Sequence, residues 1–269
     1  MRTKARTILS AGLVAAALAG GRLPEPTVAL AGALPGARLA TLPARLSPEA
    51  SGAAGAPATQ PCPANLADHL ASTRDAGQLV TVEAREAAST VATVEAWRLV
   101  NRCWRSAGGP WPGVIGRNGF SDHHREGDGT TPTGIYGIAA VMYGTAPNPG
   151  TAYPYHRLVC GDWWDEDPTS ADYNTFQHVP CGQAPPFGGS SEALWTETNA
   201  YPSFAVIEYN TRPVVPYAGS AIFLHADIGE ATTGCVSLPL ADLDRALDWL
   251  VPGQRPVIVM GPAAEIRRF

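Results

Sequence analysis

This chain reads as a mainly β protein, a sandwich or barrel-like mixed sheet with one or two short helices. Three observations carry that reading. Gln78-Leu-Val-Thr-Val-Glu83 and Thr90-Val-Ala-Thr-Val-Glu-Ala-Trp97 alternate apolar and polar side chains, the period of half-buried strands. Short β-type runs recur at Cys103–Arg105, Gly113–Gly116, Gly134–Ile138, Phe204–Glu208, Ala221–Leu224 and Pro256–Met260. The chain's 28 glycines and 25 prolines punctuate these runs too often for long helices. One helix stands out, because Leu240, Leu243, Leu247 and Leu250 fall at helical spacing between Asp242, Asp244, Arg245 and Asp248. Ser237 is its candidate cap, Pro239 suits its first turn and Pro252-Gly253 ends it. A shorter helix is expected near Asn65–Ser72. Between Met142 and Tyr201 the chain is polar, aromatic and poor in periodicity, which reads as a long functional loop or lid.

Ahead of this texture lie two other segments. Arg2, Lys4 and Arg6 followed by apolar Ile8–Ala19 have the form of an export signal over residues 1–31. Small-residue patterns leave the cut after Ala19 or Ala31, and an uncleaved anchor is the alternative. Residues 32–60 read as an Ala/Pro/Gly-rich linker, residues 61–262 as the folded domain and 263–269 as a tail. Removing residues 1–31 takes the balance from 19 basic and 24 acidic side chains to 15 and 23, and the net charge from -5 to -8. No lysine remains. Such a surface has nothing basic to follow a phosphate backbone, so nucleic acid is not expected as a partner.

The chemistry concentrates at Ser220-Ala-Ile-Phe-Leu-His225 and Thr232-Thr-Gly-Cys235-Val-Ser-Leu-Pro239. A strand-like run ends on a histidine, and a glycine then delivers a cysteine just before the helix. A thiol becomes a nucleophile when an imidazole takes its proton or a helix N-terminus favours its thiolate. His225 is the candidate base and Cys235 the nucleophile. Gly234 permits a tight turn, with the amides of Gly234 and Cys235 as oxyanion donors. The plainer alternative is an inert buried cysteine beside a core histidine.

These residues resemble the active-site signature of the YkuD-type L,D-transpeptidase catalytic domain of bacterial cell walls. Asp128-Gly-Thr-Thr-Pro-Thr-Gly-Ile-Tyr136 is similar to that family's Thr-Pro-x-Gly turn, and the likeness runs from about Arg117 to Pro262. It implies that Cys235 attacks the carbonyl between a stem diamino acid and a terminal D-alanine. It also implies that a backbone carbonyl near Ala226 orients His225. A second stem's amine completes a cross-link, and water in its place gives L,D-carboxypeptidase activity. Peptidoglycan stem peptides are then the partners, carbapenems covalent inhibitors, and neither a cofactor nor a stable protein partner is needed. Two positions depart from the family pattern: Thr233 stands at its second histidine and Ser237 at its Arg or Asn. Thr233, Ser237, Tyr136, Trp163 and Trp164 are the candidate substrate contacts. A zinc-dependent hydrolase and a non-catalytic wall-binding module are the readings from other classes.

Four cysteines remain. In an exported chain Cys62–Cys103 and Cys160–Cys181 are the preferred disulfides. The rival is a zinc site from His156-x-x-x-Cys160 and His178-x-x-Cys181. His123 and His124, close to Asp122, Glu126 and Asp128, read as solvated loop residues, with no metal expected. Trp163-Trp164-Asp-Glu-Asp167 could stack on sugar, accept a cationic amine or cover a core.

Overall fold

In the computed structural model the described residues are 61–70, 72–73, 75–188 and 191–269. The export-signal and linker expectations lie outside them.

The strands in chain order are β1 Gln78–Ala84, β2 Val91–Val100, β3 Cys103–Val114, β4 Phe120–Ser121, β5 Thr131–Pro132, β6 Gly134–Gly144, β7 Tyr155–Arg157, β8 Asp162–Asp165, β9 Thr175–His178, β10 Glu192–Ala193, β11 Phe204–Ile207, β12 Phe223–Ala226, β13 Val236–Leu238 and β14 Val257–Pro262. One α-helix, α1, spans Leu240–Trp249. A nine-stranded mixed sheet runs β11-β12-β13-β3-β2-β1-β14-β6-β7, and a further β11–β6 pairing curls it back on itself. The two short runs expected around Cys103 and Gly113 are one long strand. Asn101 and Arg102, both at positive φ, make the two-residue turn that starts it, and a register shift near Val94–Ala96 on β2 accommodates Gly108-Gly109-Pro110.

Side-chain alternation sorts the core. Val80, Val82 and Ala84 of β1 face a main core that Ile258 and Met260 of β14 share; Leu79 faces a second one with Trp97, Trp104, Val257 and Val259. Thr81, also on that second face, is buried and accepts a hydrogen bond from Trp97 Nε1 at 2.9 Å. α1 closes the main core with Leu243, Ala246, Leu247 and Leu250, all fully buried. Burying each leucine stabilises the fold by about 1.5–3 kcal/mol. Ser237 does not cap this helix: it lies in β13, and Pro239 occupies the cap position without a side-chain bond. The expected helix near Asn65–Ser72 is a single 3-10 turn, Ala67–His69. Ile266, in the C-terminal segment, is buried in the second core.

The Met142–Tyr201 stretch is more ordered than its sequence implies. It holds a second sheet, β10-β8-β9, clipped by the Cys160–Cys181 disulfide. At its centre Asp162 is fully buried and accepts three hydrogen bonds, from Val159 N at 2.8 Å, His156 Nε2 at 2.8 Å and His178 Nδ1 at 2.7 Å. Burial works against its charge, but those bonds outweigh it and hold the carboxyl below the usual range. The second disulfide, Cys62–Cys103, ties the N-terminal segment to β3. Both pairings match the expectation, and they remove Cys160 and Cys181 as zinc ligands. Among the described residues no helix is long and apolar enough to cross a membrane.

Candidate active site

β12 and β13 are parallel neighbours in the register Leu224↔Val236, His225↔Ser237 and Ala226↔Leu238. Leu224, Ala226, Val236 and Leu238 point into the main core. The alternate positions Phe223, His225 and Cys235 therefore share the other face, and a one-residue slip would bury the apolar set on the wrong side. Cys235 enters this face from Gly234, whose φ is +152°. A Cβ at Gly234 would stand 3.0 Å from both Thr130 O and Ile222 Cδ1, so only glycine fits that turn.

The Cys235 sulfur accepts a hydrogen bond from Phe223 N at 3.3 Å and donates to Ala221 O at 3.1 Å. No hydrogen bond joins it to an imidazole among the described residues. The residue as a whole is part-exposed, yet its sulfur lies deep enough that burial pushes the thiol well up, with Glu192 adding to the effect. The His225 ring is buried and donates from Nδ1 to Ala226 O at 2.8 Å, which makes Nε2 the acceptor nitrogen, and the Ala200 backbone also lies within hydrogen-bonding reach of the ring. Burial also depresses this imidazole to about 4. Cys235 and His225 are therefore both neutral at pH 7. Tyr201 packs its ring edge against His225, with centroids 5.5 Å apart, and donates from its hydroxyl to Glu192 Oε2 at 2.6 Å.

One expected donor is not free: the Gly234 N–H is held by Thr232 Oγ1 at 3.2 Å. β13 also separates Cys235 from α1, so the helix terminus does not sit directly behind the thiol. The sequence places cysteine and helix close together, but Val236–Leu238 is claimed by pairing with β12.

Cys235 and His225 line one cavity of about 270 Å³ with Tyr201, His124, Thr233 and five glutamates, Glu126, Glu166, Glu192, Glu197 and the exposed Glu230. No arginine or lysine lines it. His124 is buried and bonded through Nδ1 to Thr130 Oγ1 at 3.0 Å. It is no solvated loop residue: a Cβ on Gly234 would stand 3.4 Å from its Cε1, beside the turn that carries Cys235.

A family model, the L,D-transpeptidase catalytic domain (YkuD), matches residues 91–259. The chain belongs to the L,D-transpeptidase catalytic domain family. No curated protein matches the chain. The matched region of this L,D-transpeptidase domain runs from the start of β2 into β14 and encloses both His225 and Cys235.

Of the candidate substrate contacts, only Thr233 lines the cavity, and it accepts a hydrogen bond from Arg117 Nη1 at 3.1 Å. Trp164 is a core residue, edge-on to Phe223 and bonded through Nε1 to Asn174 Oδ1 at 3.0 Å. Trp163 meets Trp195 and Phe187 edge-on. Tyr136 stacks edge-on against Tyr209 and donates to Thr133 O. Ser237 is buried in β13. These four do not line the cavity that holds Cys235 and His225; an aromatic or hydroxyl side chain in a sequence does not tell which face it will occupy. The residues missed are Glu192, Glu197 and Tyr201, scattered through a stretch without periodicity. Glu126 and Glu166 stand in the two segments the sequence singles out, beside His123-His124 and within Trp163–Asp167.

Proposed function

We propose that this chain is an exported, peptidoglycan-modifying L,D-transpeptidase that works through a Cys235 thioester. The observation that supports this best is the shared face of β12 and β13, where the thiol and an imidazole with fixed tautomer open into one cavity. The pair starts neutral, so the thiol is activated as it attacks. Sγ gives up its hydrogen bond to Ala221 O, His225 Nε2 takes the proton, and the S–C bond forms at the donor stem's carbonyl. The Cys235 N–H is the remaining candidate oxyanion donor. The imidazolium then protonates the leaving D-alanine amine. A second stem's amine attacks the thioester, restoring the thiol. Water in place of that amine gives hydrolysis. The two disulfides fit a site of action outside the reducing cytoplasm, at the cell wall.

Intact-mass measurement after incubation with a carbapenem tests the reading. One covalent adduct is expected, absent in Cys235→Ala. In His225→Ala the rate of acylation should fall by roughly two to four powers of ten. An adduct that persists in Cys235→Ala would overturn the assignment. Wall binding with no acylation of the wild type would favour a non-catalytic module.

A further inference from the structure

Five glutamates make the wall of the cavity acidic. Three of its carboxyls have protein donors: Tyr173 and Ser220 on Glu126, Tyr201 on Glu192 and Thr196 on Glu197. Glu166 differs. It follows β8, its residue is 8 % exposed, and its backbone N–H is engaged by Ser191 Oγ at 3.0 Å. Its Oε1 is fully buried and has no hydrogen-bond partner among the described residues. A carboxyl withdrawn from water without donor or counter-charge is costly, and such groups persist where a ligand completes them.

We propose that Glu166 and Glu192 form a subsite beside Cys235 that receives the primary ammonium group of the substrate, with Glu126 and Glu197 adding negative field. The inference rests on the L,D-transpeptidase reading for its choice of substrate, the side-chain amine of the stem diamino acid whose carbonyl Cys235 attacks. An ammonium is the fitting chemistry because it is compact, carries three donors and needs several acceptors at once. Five carboxyls around one small cavity with no arginine or lysine in its lining supply them. Binding would also act on the thiol. Glu192 and Glu166 both push Cys235 upward, so a cation between them lowers the cost of thiolate formation when the correct substrate is seated.

Two measurements test this on the intact protein. In the first, Cys235 is labelled with 2-aminoethyl methanethiosulfonate, which is cationic, and with the anionic 2-sulfonatoethyl reagent. In both, Sγ forms a disulfide and methanesulfinate leaves. Each rate is divided by that reagent's rate with free cysteine. An ammonium entering the cavity draws the raised carboxyls of Glu166 and Glu192 into their ionised forms, so the wild type should prefer the cationic reagent by about tenfold, and Glu166→Gln and Glu192→Gln should each bring the ratio toward one. Equal normalised rates in the wild type, or a preference unchanged in both variants, would overturn the subsite. The second compares kcat/KM for stem tetrapeptides with a free or an acetylated side-chain amine. A preference of about tenfold for the free amine, lost in Glu166→Gln, is expected. Acylation by both peptides alike, with no labelling preference, rejects the subsite and keeps the transpeptidase. A labelling preference with no acylation by either peptide rejects the transpeptidase and leaves a cation site.

Discussion

Asp162 opens β8 and Glu166 directly follows its last residue, both side chains are buried, and they have opposite surroundings. Asp162 collects a backbone amide and two imidazoles and is held below its ordinary pKa. Glu166 has an oxygen with no donor; burial, with Glu192, Glu126 and Asp165 nearby, pushes it up to about 10. Asp162 belongs to the sheet that the Cys160–Cys181 disulfide clips, and Glu166 adjoins it. The lesson is that one β element can spend its polar satisfaction at one end and withhold it at the other. The satisfied end fixes the scaffold, and the open end faces the thiol.

The largest effect should come from the satisfied end. Asp162→Ala strips the acceptor from Val159 N and from two rings, and a loss of about 3–5 kcal/mol is expected from urea unfolding, the scale for removing one partner of a buried charged group. The wild-type carboxylate has a depressed folded pKa, so its contribution is present above the unfolded value near 4 and fades as pH falls through the folded value. A loss in Asp162→Ala no greater than that in Glu166→Gln would break the comparison.

A second buried ionisable group faces the same cavity from β12. His225 is depressed to about 4, so the unfolded chain binds a proton near pH 6.5 that the folded chain refuses. Stability should therefore fall as pH drops from about 6.5 to about 4, by roughly 3 kcal/mol in all. His225→Phe should remove that slope while leaving the Asp162 slope at lower pH. Guanidinium melts at pH 7, 5.5 and 4 would check it, and an unchanged slope in the variant would show that the ring is solvated.

These groups also mark how far the sequence could be read. Alternation in β1 and β2 and the leucine spacing of α1 are local signals, and the structure follows them. His225 and Cys235 were legible because a strand end, a glycine and an unpaired thiol lie within a dozen residues. The acids were not. Glu126, Glu166, Glu192 and Glu197 come from separate turns and short strands, and only the fold of the second sheet brings them to one cavity. Its strands run two to four residues, too short for period-two alternation to stand out. Ser237 was misread for a related reason. A serine before a proline-led helix looks like a cap, but three-residue pairing with β12 claimed it first.

At the open end the sign reverses. Glu166 has a raised folded pKa, so whatever stability its protonated form supports is lost as pH climbs from the unfolded value near 4.5 toward about 10. Glu166→Gln keeps the shape and removes the ionisation. Its melting temperature should match the wild type at pH 4 and exceed it by a widening margin at pH 7 and 9. A variant less stable than the wild type at pH 9 would mean that Glu166 serves the scaffold as Asp162 does.

Ser237 supplies the smallest effect and separates an unsatisfied group from a useful one. Its Oγ is buried with no hydrogen-bond partner among the described residues, like Glu166 Oε1, but it does not line the cavity. A hydroxyl in that position costs its desolvation and gains nothing from a ligand, so Ser237→Ala trades a small void for relief of that penalty. A change within about 1 kcal/mol, toward greater stability, is expected by urea unfolding. The preference of Cys235 for the cationic label should stay as it is in the wild type. If Ser237→Ala abolished that preference as Glu166→Gln is expected to, the effect would come from disturbing the β12–β13 pair, and the glutamate could no longer be distinguished from any other buried polar group near the thiol.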